Sequence, residues 1–287
     1  MKMRPLGVFA SIDAGLGVHL DVAHELGVPT IHLHTPKAET RTEANAAAFR
    51  QRLAELGIKI SVVFAGFDGE SYADIPAVVK TVGLTPPDLR EARLAELKEI
   101  ADFARLLSSE ETSYAGGPIP VGLHIGFVPH DSASDEFAQI VAATQAICDH
   151  CAPHGQAVHL ETGQEPADVL LEFLAAVNRD NLGVNFDPAN MILYGCGEPL
   201  PALKKLGSHV RSVHCKDAKW SDQPGETWGE ETPLGEGDVD FPAFINVLDE
   251  IDYDGPLTIE HEIPQEPERQ KAEIGSALEL LRSLRSK

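Results

Sequence analysis

Ala157-Val158-His159-Leu160-Glu161-Thr162, a helical stretch over residues 166–178, and Leu182-Gly183-Val184-Asn185-Phe186-Asp187 form the segment from which the rest of the chain can be read. Apolar and polar side chains alternate, the pattern turns helical, and the alternation returns. Period two is the signature of a strand, and a helix between two such strands is a crossover, so the segment reads as one β-α-β unit of a parallel sheet. The same unit recurs on both sides. Upstream, strands are expected at 6–12, 30–35, 58–65 and 120–126, followed by helices at 19–26, 41–56, 89–107 and 134–151. Downstream, a short helix at 200–206 follows the sixth strand, and strands at 210–216 and 256–260 precede helices at 241–251 and 266–284.

Eight strands alternating with eight helices in 287 residues predict a (β/α)8 TIM barrel, read as a single domain over residues 1–287. The alternative, a doubly wound open sheet, wants a glycine-rich phosphate turn after its first strand. Asp13-Ala14-Gly15-Leu16-Gly17 lacks the third glycine of that fingerprint. Two connections are long, 66–88 and 217–240, and both follow strands. Both therefore belong on the C-terminal face, where barrel enzymes build their sites.

Composition narrows the partners. The chain has 23 Lys+Arg against 45 Asp+Glu, a formal charge of −22. Such a surface repels phosphate backbones and anionic lipids, so nucleic acid and membrane are excluded as expected partners, and a small molecule is favoured. A homo-oligomer stays open. No apolar run reaches the roughly 18 residues of a membrane span. Residues 6–12 read as a first buried strand rather than a signal peptide, and four cysteines do not make a disulfide framework, so the expected setting is cytoplasmic.

In a barrel, one side of each strand faces the lumen and the other the helices. If Val158, Leu160, Val184, Phe186, Val213, Cys215, Leu257 and Ile259 pack outward, then His159, Glu161, Asn185, Asp187, His214, Lys216, Thr258, Glu260 and Glu262 point inward. His32, His34 and His124 point inward by the same rule. An unpaired buried charge costs several kcal/mol, about, and Glu161, Asp187 and Glu260 in one mouth would repel one another without a cation. Acids plus one imidazole form a mixed O/N set suited to Mn2+, Mg2+ or Co2+ with open positions; Zn2+ is allowed but usually recruits more His or Cys.

These residues resemble the sugar phosphate isomerase/epimerase group, the xylose isomerase-like TIM barrels. The resemblance runs over essentially the whole chain. It rests on Leu160-Glu161-Thr162-Gly163, Asn185-Phe186-Asp187-Pro188, His214-Cys215-Lys216-Asp217, Leu234-Gly235-Glu236-Gly237-Asp238-Val239-Asp240-Phe241 and Ile259-Glu260-His261-Glu262, in that order. It implies one divalent metal held by Glu161, Asp187, His214 and Glu260. It also implies that Glu161 and Glu260 exchange protons with a sugar or polyol through an enediolate, as in an isomerase or epimerase. The chain departs from the ketose 3-epimerases at two substrate positions, with Asn190 in place of a His and Trp220 in place of an Arg. Lys216 is the candidate replacement contact. His124 and His34 are candidate hydroxyl ligands, and Trp220 and Trp228 are candidate stacking surfaces. Phe67 and Tyr72 are candidate pocket walls. Glu230, Glu231, Glu236 and Asp238 read as a solvated loop.

Three alternatives are weighed against that reading. A dehydratase of the inosose dehydratase type uses the same proton abstraction but expels water. The endonuclease IV type needs further His ligands, and Asn190 replaces one of them. A noncatalytic sugar-binding barrel would not need two inward glutamates.

Overall fold

The computed structural model describes residues 3–12 and 17–285. Its eight parallel strands close on themselves in the order β1-β10-β7-β6-β5-β4-β3-β2. They are β1 (Leu6–Ala10), β2 (Thr30–His34), β3 (Lys59–Ala65), β4 (Val121–Leu123), β5 (Val158–Glu161), β6 (Leu182–Phe186), β7 (Val210–Cys215) and β10 (Leu257–Ile259). β1 pairs with β2 on one side and β10 on the other, so the sheet has no edge and the doubly wound alternative is overturned. Of the two glycines weighed for a nucleotide turn, Gly15 lies outside the described residues.

The helices follow the strands as expected: α1 (Leu20–Glu25), α2 (Glu43–Leu56), α4 (Arg90–Leu107), α5 (Asp135–Cys151), α6 (Ala167–Val177), α8 (Pro199–Leu206), α9 (Phe241–Glu250) and α10 (Pro267–Arg285). Their starts are set by ordinary capping chemistry. Thr42, Ser134 and Asp240 each accept a backbone N–H three residues on, which satisfies a donor the helix leaves free. The outward strand residues are fully buried: Val158, Leu160, Val184, Phe186, Val213, Cys215 and Leu257 have no exposed surface. Phe186 stacks at 6.3 Å on Phe244 of α9, which fixes that face as the helix side. Each such side chain contributes about 1.5–3 kcal/mol on leaving water, and the lumen is thereby left to the polar set.

Two helices and a hairpin lie where the sequence pattern predicts only connections. Helix α3 (Ile75–Thr81) sits within 66–88, and α7 (Pro188–Tyr194) follows β6 directly. Within 217–240 an antiparallel hairpin pairs β8 (Asp217–Lys219) with β9 (Glu230–Thr232). Both long connections are tied down. The buried Arg93 donates to Thr81 O at 2.6 Å, Gly83 O at 2.8 Å and Asp68 O at 3.3 Å. Asp217, 1% exposed, accepts backbone N–H bonds from Ala218, Gly235, Gly237 and Val239, which gathers both ends of the second connection on one carboxylate.

Candidate metal centre and substrate pocket

The C-terminal ends of β5, β6, β7 and β10 deliver four side chains to one point. Glu161 is the last residue of β5, His214 is next to last in β7, Asp187 follows β6, and Glu260 follows β10. Each offers one ligand atom, and these atoms all lie within 4.8 Å of one another. His214 Nδ1 is the focus. Glu161 Oε1 and Glu260 Oε2 each lie 2.6 Å from it, and Asp187 Oδ2 lies 3.8 Å away.

Asp187 shows how the fold aims such a group. With Pro188 at the first helical position, it caps α7: its Oδ1 accepts from Ala189 N at 2.8 Å and Asn190 N at 3.1 Å. This leaves Oδ2, fully buried, with no hydrogen-bond partner. Buried polar atoms almost always have one, so an orphaned carboxylate oxygen aimed at two other carboxylates needs an explanation. A single N–H cannot serve two carboxylates at 2.6 Å, and a divalent cation would satisfy all of them. The donors fit such a cation by chemistry as well: three carboxylates and one imidazole make an oxygen-rich set.

The charges are held by burial and by one another. Burial pushes the Asp187 carboxyl up, and the neighbouring glutamates add to the shift. For His214, burial works downward, but Glu260 and Glu161 outweigh it and raise the imidazole to about 10. Burial would also raise Glu260, yet Lys216 and His214 hold it well below the carboxylate range. Lys216 Nζ, itself buried, lies 3.4 Å from Glu260, 3.5 Å from Glu231 and 3.8 Å from Glu262.

These residues open into a cavity of about 350 Å³. His34, His124, Asn190 and Lys216 line it, as do the four ligand candidates except Asp187, which lies beneath. His124 is neutral, since burial lowers its imidazole to about 3; Tyr194 Oη lies 3.0 Å from its Nε2, and the Gln164 amide also reaches it. Asn190 donates to Thr162 O at 3.3 Å. Trp220 does not join them: it packs on the hydrophobic core outside the cavity while its backbone N–H donates to Asp238. The long connection bends back at the hairpin, and that bend brings Trp228 to the wall instead, 4.6 Å from Tyr194. Tyr72 lines the cavity edge-on to His124, whereas Phe67 lies beneath Arg93 outside it.

One acid of the expected solvated loop is not solvated. Glu231, on β9, lines the cavity and bridges Lys216 and His261, whose other nitrogen lies 2.9 Å from Glu273. The sequence signal was present: Glu231 and Thr232 alternate as β9 residues do, but three residues are too short a run to stand out. Phe9, Phe64 and Leu193 complete the apolar wall. Among the described residues, no helix is long and apolar enough to cross a membrane.

Known proteins place this geometry in context. Over 147 residues the chain is 31% identical to an L-ribulose 3-epimerase of Methylomonas sp. (strain DH-1), a match covering 47% of this chain and 46% of the epimerase. Over 115 residues it is 27% identical to an inosose dehydratase of Clostridium beijerinckii, covering 36% of this chain and 38% of the dehydratase. The chain thus matches less than half the length of either relative. A solved structure, a xylose isomerase domain protein from Planctomyces limnophilus, is 55% identical with a TM-score of 0.93, covering 98% of this chain and 97% of that one. The family model of the xylose isomerase-like TIM barrels matches residues 20–284, and the chain belongs to that family.

Proposed function

We propose that this protein is a divalent-metal-dependent isomerase or epimerase of a sugar or related polyol, working through an enediolate. One observation carries the reading: Glu161, Asp187, His214 and Glu260 converge within 4.8 Å, with a buried Asp187 oxygen left without a partner. These four residues would hold the ion, and Mn2+, Mg2+ or Co2+ suits them better than Zn2+. A bound divalent cation supplies Lewis acidity, polarising a carbonyl and offsetting the negative charge that develops when the neighbouring carbon loses its proton.

The remaining steps belong to the chain's own groups. Glu260, kept ionised by Lys216 and His214, is the base that takes the α-proton. Glu161, whose carboxylate lies as close to His214 Nδ1 as that of Glu260, returns a proton to the enediolate. Return to the opposite face of the same carbon gives an epimer; return to the neighbouring carbon gives an isomer. His34, His124, Asn190 and Lys216 are positioned to bind hydroxyls, and Tyr194 and Trp228 offer apolar faces to a sugar ring while excluding water.

A second reading, dehydration of an inosose-like ketone, has its own support. Asn190 and Trp220 depart from the epimerase pattern, and Lys216 Nζ stands 3.4 Å from Glu260, placed to protonate a departing hydroxyl. One experiment addresses both. The Mn2+-loaded protein is incubated in D2O with a panel of ketoses and inososes and followed by NMR and ultraviolet absorbance. Deuterium at the α-carbon with an epimeric or isomeric product supports the first reading, and an enone band supports the second. Neither outcome across the panel, or exchange that survives both Glu161→Gln and Glu260→Gln, sinks the catalytic proposal.

A further inference from the structure

His214 is held from behind as well as in front. On the side away from the carboxylates, its Nε2 lies 2.8 Å from Nδ1 of His32, a fully buried residue of β2 on the far side of the lumen. The His32 ring packs on two neighbours, 5.3 Å from Phe64 and 4.9 Å from His214. Its other nitrogen, Nε2, is buried and has no hydrogen-bond partner. An aliphatic side chain would fill this part of the lumen without bringing in an unpartnered nitrogen such as His32 Nε2. The contact with His214 is therefore what the imidazole at position 32 accomplishes.

We propose that His32 is a positioning residue for the metal centre. It accepts a hydrogen bond from His214 Nε2–H, which in the metal-loaded protein would keep the one remaining His214 proton on Nε2 and turn the lone pair of Nδ1 toward Glu161, Asp187 and Glu260. A histidine that binds a metal through one nitrogen generally donates from the other, and the acceptor fixes both tautomer and ring direction. The acceptor is more often a carboxylate or a backbone carbonyl. Here a carboxylate would add a fourth negative charge beside three, whereas a neutral imidazole accepts the bond without adding one. His214 is further packed by Phe9, edge-on at 5.6 Å, and Phe64 at 4.9 Å. This role rests on the metal-binding reading above.

The test separates the two. Mn2+ affinity is measured by titration of the native chain and of His32→Gln and His32→Leu, with circular dichroism to establish that each is folded. Gln keeps an acceptor; Leu keeps bulk alone. The expectation is a 10- to 100-fold weaker dissociation constant for His32→Leu, roughly, with His32→Gln recovering most of it. Long-range 1H–15N spectra of the Zn2+-loaded proteins read the tautomer directly. The proton of His214 is expected on Nε2 in the native chain and in His32→Gln, with that assignment lost in His32→Leu. Native affinity in folded His32→Leu, or equal weakening in Leu and Gln, overturns the role of His32 and leaves the metal centre standing. A native chain that binds no Mn2+ overturns both. If His32→Leu does not fold, His32→Gln decides alone: a His214 proton found on Nδ1 in the metal-loaded protein overturns the proposal.

Discussion

Replacing Asp187 by Asn should make the metal-stripped protein more stable and remove its response to metal. The amide keeps the oxygen that caps α7, so the bonds from Ala189 N and Asn190 N survive. In place of the orphaned Oδ2 it puts an NH2 facing the carboxylates of Glu161 and Glu260, which can accept from it. Relieving one buried unsatisfied acceptor is worth roughly 1–3 kcal/mol. At about 2–4 °C per kcal/mol for a chain of this size, Tm in EDTA should rise by roughly 2–12 °C. The native chain should gain from metal what the variant cannot: about 2.7 kcal/mol at a concentration one hundred times Kd, or roughly 5–10 °C. Thermal unfolding followed by near-ultraviolet circular dichroism, with EDTA and then with millimolar MnCl2, measures all four states. The reasoning fails if Asn lowers Tm in EDTA, or if Mn2+ shifts both proteins equally. In the first case the orphaned oxygen has a partner that the Asn amide cannot replace; in the second, Asp187 is not a ligand.

Three other outcomes follow from separate parts of the structure. Burial raises Glu165, 3% exposed, to about 8, above its unfolded value near 4.5; its stabilising contribution is complete below 4.5 and is lost as pH climbs through 8. Glu165→Gln should flatten that slope and stabilise the protein at pH 7 by roughly 2–3 kcal/mol, measured by denaturant titration across pH 5–8; an unchanged slope refutes it. Gly83 has φ +69°, and a Cβ there would sit 2.1 Å from the Ile125 backbone, so Gly83→Ala should cost roughly 2–5 kcal/mol in the same titration at constant pH. Asp217→Ala removes the acceptor of four backbone N–H groups. It should cost roughly 2–5 kcal/mol and open 218–240 to proteolysis first, as mass spectrometry of early fragments would reveal.

The barrel was legible in the sequence because its two periodicities are imposed by solvent exclusion over many residues. Val158, Leu160, Val184 and Phe186 had to face the helices, and that alone turned Glu161 and Asp187 inward. What escaped notice was short or depended on distant partners. Helix α7 has seven residues, and its start is declared only by Asp187-Pro188, a cap that also reads as a candidate ligand. The β8–β9 hairpin owes its shape to Asp217, whose bonds reach Gly235, Gly237 and Val239 some twenty residues on, and no local pattern carries such a contact. The fate of Trp220 and Trp228 follows from this. Nothing in their neighbourhood says which one turns inward; the hairpin decides, placing Trp228 against Tyr194 and Trp220 on the core. Local chemistry therefore predicted the inner half of the site, where strand register aims each side chain. The outer half depends on buried carboxylates that organise loops from a distance, and there the same chemistry identified candidates without placing them.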